Sequence, residues 1–104
     1  MARVDPETIE SLAGLRAAID EIDDALMVLL AERLRYADRA PVLKRRAGVS
    51  AAAPSRQRDV VERVRARAEA TGFDPALAEA MWRVMIDGIV AREERVIGKE
   101  GTDG

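Results

Sequence analysis

The chain of 104 residues contains no cysteine and no histidine. The first absence excludes disulfides and thiolate metal sites; the second removes Ser-His and Cys-His catalysis, zinc sites and the usual near-neutral acid–base group. Any chemistry must therefore come from Arg, Lys, carboxylates, amides and hydroxyls. Aromatic residues are almost missing as well: only Tyr36, Phe73 and Trp82 are present. Without aromatic side chains interleaved among the basic ones, stacking on nucleic-acid bases has little to work with. No apolar run approaches the length of a membrane span, and Met1 to Glu10 has no hydrophobic core region of a signal peptide. These absences lead to the expectation of a cytoplasmic protein without thiolate or zinc sites that engages neither membrane nor nucleic acid.

What is present is helical in composition. Hydrophobic residues make up 48% of the chain and charged residues 35%, and the size suits one domain with one core. The formal net charge is only −2, but its distribution is uneven. Eleven of the 17 basic residues fall between Arg33 and Arg67, where only Asp38, Asp59 and Glu62 are acidic. A basic middle between acidic flanks suits a small anionic partner, such as a dicarboxylate, better than a polynucleotide.

The stretch from Ser11 to about Arg46 organises the rest. Leu12, Leu15, Ile19, Ile22, Leu26, Leu29, Tyr36, Ala40 and Leu43 recur at alternating intervals of three and four. That spacing is the packing seam of a long helix. Between Leu29 and Tyr36 the repeat requires an apolar residue and the sequence supplies Arg33. A guanidinium on a packing stripe is costly to bury unless an anion meets it. Pro41 lies inside the same stretch, where it should bend the helix or end it a few residues early, and Gly48 provides a stop. Small residues from Ser50 to Ala53 form a loop before a second helix from Pro54 to about Ala70, whose inward positions read Gln57, Val61, Val64 and Ala68. Asp74-Pro75 opens a third helix that carries Ala78, Met81, Trp82, Ile86, Ile89, Glu93 and Ile97 and stops at Gly98. The expected organisation is an N-terminal extension over 1–10, an all-α domain of three helices over 11–98, and a disordered tail over 99–104.

Lengths extend the reading to assembly. A first helix of this size spans about 54 Å at 1.5 Å per residue, while a compact monomer of this mass has a radius of gyration of roughly 13 Å. The second and third helices are too short to cover such a seam. The remaining apolar stripe calls for another copy of the chain, hence an intertwined homodimer.

Four polar residues join Arg33 as candidates. Lys44 lies eleven residues further on, three helical turns, on nearly the same face; Gln57 and Glu93 take inward positions on the other two helices. Arg16 lies about a hundred degrees around the axis from Arg33 and so faces a different neighbour. Taken singly, each has a plain structural reading: an Arg or Lys beside a seam extends to solvent, Glu93 pairs with Arg33 or Lys44, and Gln57 is a solvated first-turn residue. Taken together, two cations with an amide and a carboxyl form a polar pocket within helices, fit for a compact anion.

The sequence resembles the all-helical chorismate mutase family over nearly its whole length, from Leu12 to about Ile97. Leu15-Arg16-x-x-Ile19-Asp20-x-Ile22-Asp23 followed by Leu29-Leu30-Ala31-Glu32-Arg33 is similar to that family's opening helix, with Lys44 at the family's spacing. Pro54-x-Arg56-x-x-x-Val60 is similar to the start of its second helix, and Trp82-Arg83-x-Met85-Ile86 to its third. The resemblance implies an intertwined homodimer with two active sites, no cofactor, and rearrangement of chorismate to prephenate towards phenylalanine and tyrosine. It also implies roles. Arg33 would hold one substrate carboxylate and the partner subunit's Arg16 the other. Lys44 would reach a carboxylate and the ether oxygen, Glu93 would be the second ether-oxygen donor, and Gln57 would meet the ring hydroxyl. Glu93 can donate only while it carries a proton, a form that burial favours, so activity should fall as pH rises. Ala53 and Ile89 stand where some members have an aspartate and a serine that touch the substrate, which implies modest affinity. Two alternatives remain open at this point. One is isochorismate–pyruvate lyase, which has the same fold and similar charged site residues; the other is a non-catalytic helical dimer or a metabolite-binding regulatory domain.

Overall fold

The computed structural model describes residues 3–104, so the first two residues of the expected 1–10 extension lie outside it. The protein is all-α. A short 3-10 turn, Pro6–Thr8, precedes α1 (Leu12–Ala47), α2 (Pro54–Thr71) and α3 (Pro75–Ile97). Among the described residues there is no strand, only an isolated parallel bridge between Val49 and Thr102. No described helix is long and apolar enough to cross a membrane.

The helix boundaries follow from local chemistry. Ser11 stands just outside α1, where its hydroxyl accepts from the Gly14 N–H at 3.0 Å, a side-chain cap on one of the first turn's free donors. At the other end Gly48 takes φ 71°, and the Gly48 and Val49 N–H groups bond back to the Arg45 and Lys44 carbonyls. This is the glycine-terminated arrangement that satisfies the last carbonyls of a helix. The same device ends α2, with Gly72 at φ 80° and Phe73 N–H bonded to the Ala68 carbonyl at 2.9 Å. Asp74 opens α3 by accepting from the Ala76 and Leu77 N–H groups.

Pro41 does not end α1, which runs its full 36 residues with the proline inside it and buried. Ties to α3 on both sides of the proline offset the lost backbone bond. Three residues before it, Asp38 accepts two bonds from the Arg92 guanidinium at 2.9 and 2.8 Å; three residues after it, Lys44 pairs with Glu93. The ring itself is removed from water, which adds apolar burial to the same segment.

The chain divides into two compact units, Met1–Arg35 and Tyr36–Gly104. In the second, α2 and α3 pack through Val64, Ala68 and Ala78, with Val60 and Trp82 against them. The small residues permit close approach of the two helices, and Val61 and Ile86 extend the buried set. The inward positions read from the sequence of α2 are therefore those that the fold buries, Gln57 being half-buried at the start of the series. In the first unit the picture is opposite. The seam residues Leu12, Ile19, Ile22, Leu26 and Leu29 are all exposed, Leu29 by 62%.

Residues 99–104, expected from the sequence as a disordered tail, make defined contacts: Thr102 brackets Val49, donating to the Gly48 carbonyl at 2.9 Å and accepting from the Ser50 N–H at 2.8 Å. Asp103 accepts from the Ser55 N–H at 2.7 Å and from the Ser55 hydroxyl. Composition alone suggested a frayed end, but free N–H groups at the start of α2 give the carboxylate somewhere to bind.

Three surface carboxyls carry the pH response. The Arg92 bonds hold Asp38 below the ordinary carboxylate range, the Arg83 and Arg65 bonds do so for Glu79, and the Ser55 hydroxyl and N–H, with Arg58 nearby, do so for Asp103. A carboxyl whose folded value is lowered stabilises the fold fully above its unfolded value, about 4, and loses that contribution as pH falls through the lowered folded value. The thermal midpoint should therefore stay level from neutral pH down to about 5 and fall only below about 4, as read by circular dichroism across a pH series. Asp38→Asn should shallow that acid slope.

Candidate active site

The site is best built from the loop between α1 and α2. Ser50, Ala51 and Ala53 are buried, at 8%, 1% and 4% exposure, although they lie in irregular chain. Buried backbone must find partners. The Ala53 N–H bonds to the Ser50 hydroxyl at 3.1 Å, folding the loop back on itself. Ala53 takes a left-handed conformation, φ 37°, and its carbonyl accepts from both Arg56 and Gln57 N–H to start α2.

Two remaining loop carbonyls hold the two functional side chains that flank the loop. Lys44 Nζ donates to the Ala51 carbonyl at 2.8 Å, and Gln57 Nε2 donates to the Ala52 carbonyl at 2.6 Å. Successive carbonyls thus fix one side chain from the end of α1 and one from the start of α2.

Glu93 closes the cluster from α3. Both its carboxyl oxygens lie 3.2 Å from Lys44 Nζ, and the residue is 4% exposed, the most buried charged group among the described residues. A carboxyl this far from water is expensive unless a charged or hydrogen-bonding partner meets it, and the ammonium does so. Lys44 is less enclosed, with 22% of its side chain exposed. Its N–H donors serve the Ala51 carbonyl and the Glu93 carboxylate. The arrangement therefore presents a cation and an amide, each held by a carbonyl of the same loop.

Of the five residues picked out from the sequence, Lys44, Glu93 and Gln57 are gathered around this loop. Arg16 and Arg33 belong to the Met1–Arg35 unit, where Arg16 is exposed and Arg33 half-buried. Among the described residues neither forms an ion pair within the chain, whereas Arg65, Arg83 and Arg92 all do. Of the positions noted as departures, Ala53 is the buried residue from which α2 starts and Ile89 is half-buried on α3. Sequence reasoning missed the loop's own part. The available signal was a serine three residues before Ala53, the spacing of a side chain that caps local backbone. The carbonyls of Ala51 and Ala52 carry no signal at all, because any residue would supply them.

Comparison with known proteins places this cluster. The sequence matches the family description "Chorismate mutase type II" over residues 15–94, a span that takes in Arg16, Arg33, Lys44, Gln57 and Glu93. A chorismate mutase of Methanocaldococcus jannaschii is 29% identical over 79 residues, covering 76% of this chain and 80% of that protein. A T-protein of Enterobacter agglomerans is 33% identical over 88 residues, covering 84% of this chain. The chain spans 24% of that T-protein's length, so the likeness concerns one part of a larger relative. A three-helix chain, a lysine–glutamate–glutamine cluster around the first loop and a family match over most of its length agree: this chain belongs to the chorismate mutase type II family.

Proposed function

We propose that the chain rearranges chorismate to prephenate, and that the observation carrying the proposal is the Lys44 ammonium fixed between Glu93 and the Ala51 carbonyl. The reaction is pericyclic: as the ether C–O bond breaks, a C–C bond forms within the same molecule, and no proton or electron need come from the protein. Two contributions lower the barrier. One is holding the flexible substrate in its compact reactive form, and the other is placing donors where negative charge develops on the ether oxygen. Lys44 suits the second. An ammonium already held by fixed acceptors need not reorganise as charge develops, and removing one such donor typically costs about 10²–10³ in rate.

The remaining residues divide the substrate between them. Arg33 holds one carboxylate and the partner subunit's Arg16 the other, each through the paired N–H geometry that guanidinium offers a carboxylate. Gln57 meets the ring hydroxyl. Glu93 borders the ether oxygen and holds Lys44 in place. The assembly is an intertwined homodimer whose long helices pack along the α1 seam. The exposure of Leu12, Ile19, Ile22, Leu26 and Leu29 supports this, since contiguous apolar surface of that extent on one helix marks an interface. Chorismate is the small dicarboxylate ligand, and the likeness to the archaeal enzyme by name points to the same substrate. No step requires a cofactor.

Incubation of the purified protein with chorismate and with isochorismate, separately, tests the activity. Prephenate from the first is expected; salicylate and pyruvate from the second would assign it as the lyase instead, and no product from either would leave a binding dimer. Arg33→Ala should lower kcat/KM by about 10²-fold or more, through loss of a desolvated charge-assisted pair. Mixing inactive Arg16→Ala and Arg33→Ala proteins after reversible unfolding tests the shared site. Random reassembly of dimers should restore on the order of a quarter of wild-type activity, because each mixed dimer regains one intact site. Failure to restore any would place both arginines in a site of one chain. Glu93→Gln tests the anchor: the amide keeps the shape of the side chain but not the charge that holds Lys44, so kcat/KM measured on the variant should fall.

A further inference from the structure

Residues 99–104 lie outside the matched family span, yet they touch the loop on which the active site is mounted. Three observations fix them there. Thr102 exchanges two backbone bonds across Val49, at 2.9 Å to the Gly48 carbonyl and 2.8 Å from the Ser50 N–H. The segment crosses the loop at Gly101, whose φ of +125° is open to glycine; a Cβ there would lie 2.5 Å from Ser50 N and 2.6 Å from the Val49 carbonyl carbon. Asp103 then accepts from both the N–H and the hydroxyl of Ser55.

The third contact answers a defect in α2. The residue at its cap position is Ala53, which has no side-chain oxygen to offer the first turn, and Pro54 follows with no N–H. Ser55 therefore carries the first free donor, and Asp103 caps it from 48 residues away. Between the two anchor points, Gly48–Ser50 and Ser55, lies the stretch Ala51–Ala53. Its carbonyls hold Lys44 and Gln57. Nothing else in the described chain bonds the loop from outside on both sides.

We propose that residues 99–104 act as a strap that sets the Ala51 and Ala52 carbonyls, with Gly101 and Asp103 as positioning residues for turnover. The strap touches no substrate. It works through the loop: releasing it lets the loop carbonyls drift, and Lys44 and Gln57 drift with them. A misplacement of about 1 Å in such a group can lower the rate by as much as 10²-fold. The strap lies outside the α2–α3 core of Val64, Ala68 and Ala78, so its release leaves the fold standing. The claim of an effect on turnover rests on the mutase reading above; the claim about the loop does not.

The test compares Asp103→Ala, Asp103→Asn and Gly101→Ala with the wild-type chain. Asp103→Ala and Gly101→Ala should each lower kcat about tenfold, corresponding to one hydrogen-bonded contact, with KM changed less than about threefold. Asp103→Asn keeps an acceptor for Ser55 and should return kcat to within about threefold of wild type. Amide hydrogen exchange read on the same proteins should show Ala53 and Ser55 exchanging faster in Asp103→Ala while Val64 and Ala78 keep their protection. A merely structural strap would lower protection of the core along with that of the loop, or leave kcat unchanged; either result overturns the proposal. If the wild-type chain turns over no chorismate, the mutase reading fails alone, and exchange at Ala53 and Ser55 still decides: unchanged protection in both alanine variants sinks the strap.

Discussion

The loop between α1 and α2 depends on one buried charge. Glu93 is nearly closed off from water, and its cost is met by an ammonium delivered from α1. That requirement places demands on everything around it. The first helix must continue past Pro41 far enough to present Lys44. The loop must turn back so that the Ala51 carbonyl shares the ammonium. The third helix must reach Glu93 before Gly98 ends it. A pair of opposite charges in a small helical core is a poor source of stability compared with apolar packing. Its retention makes sense where the cation has a second use, as a fixed donor to an anionic ligand.

The second constraint is the absence of chemistry. With no histidine and no cysteine, the chain has no thiol nucleophile and no imidazole base. A rearrangement that proceeds within one molecule needs neither. What it needs is shape and donors in place before the reaction begins, and the structure supplies mounting at the expense of loop freedom. Ser50, Ala51 and Ala53 are as buried as the helical core, and Ala53 accepts a left-handed backbone for which it has no glycine's freedom. Burying the loop and straining it at Ala53 fixes Lys44 and Gln57 more firmly than an exposed connection would.

The sequence disclosed the helices because their signals are local. Ser11, Gly48, Pro54, Gly72 and the Asp74-Pro75 pair each act within one turn of where they stand, and the observed ends fall within a residue or so of those marks. It disclosed Val61, Val64 and Ala68 because burial on a helix is periodic. Lys44, Gln57 and Glu93 were visible as polar residues at inward positions, a misfit that only a partner resolves. The passage of α1 through Pro41 and the contacts of the segment 99–104 were not legible for a shared reason. The proline is carried by pairs reaching α3 from Asp38 and Lys44, and the segment by Ser55, 48 residues from Asp103. Contacts at that separation leave no periodicity, and a backbone carbonyl such as that of Ala51 leaves no residue type to notice.

The long seam shows how a single helix can answer two demands. Its first half exposes Leu12, Ile19, Ile22, Leu26 and Leu29, surface that a monomer would ordinarily bury. Its second half carries Lys44 into a core of its own. If the seam is covered by a second copy, Arg16 and Arg33 need no partner within their own chain, and among the described residues they form no ion pair there. They share this with most of the chain's arginines; among the described residues only Arg65, Arg83 and Arg92 are tied to carboxylates, those of Glu79 and Asp38. Guanidinium groups left unpaired on a helix otherwise laid out for packing are costly to enclose unless an anion arrives with the enclosure. In the proposed dimer, substrate carboxylates reaching those arginines would remove that cost, and assembly and ligand binding would become parts of one equilibrium.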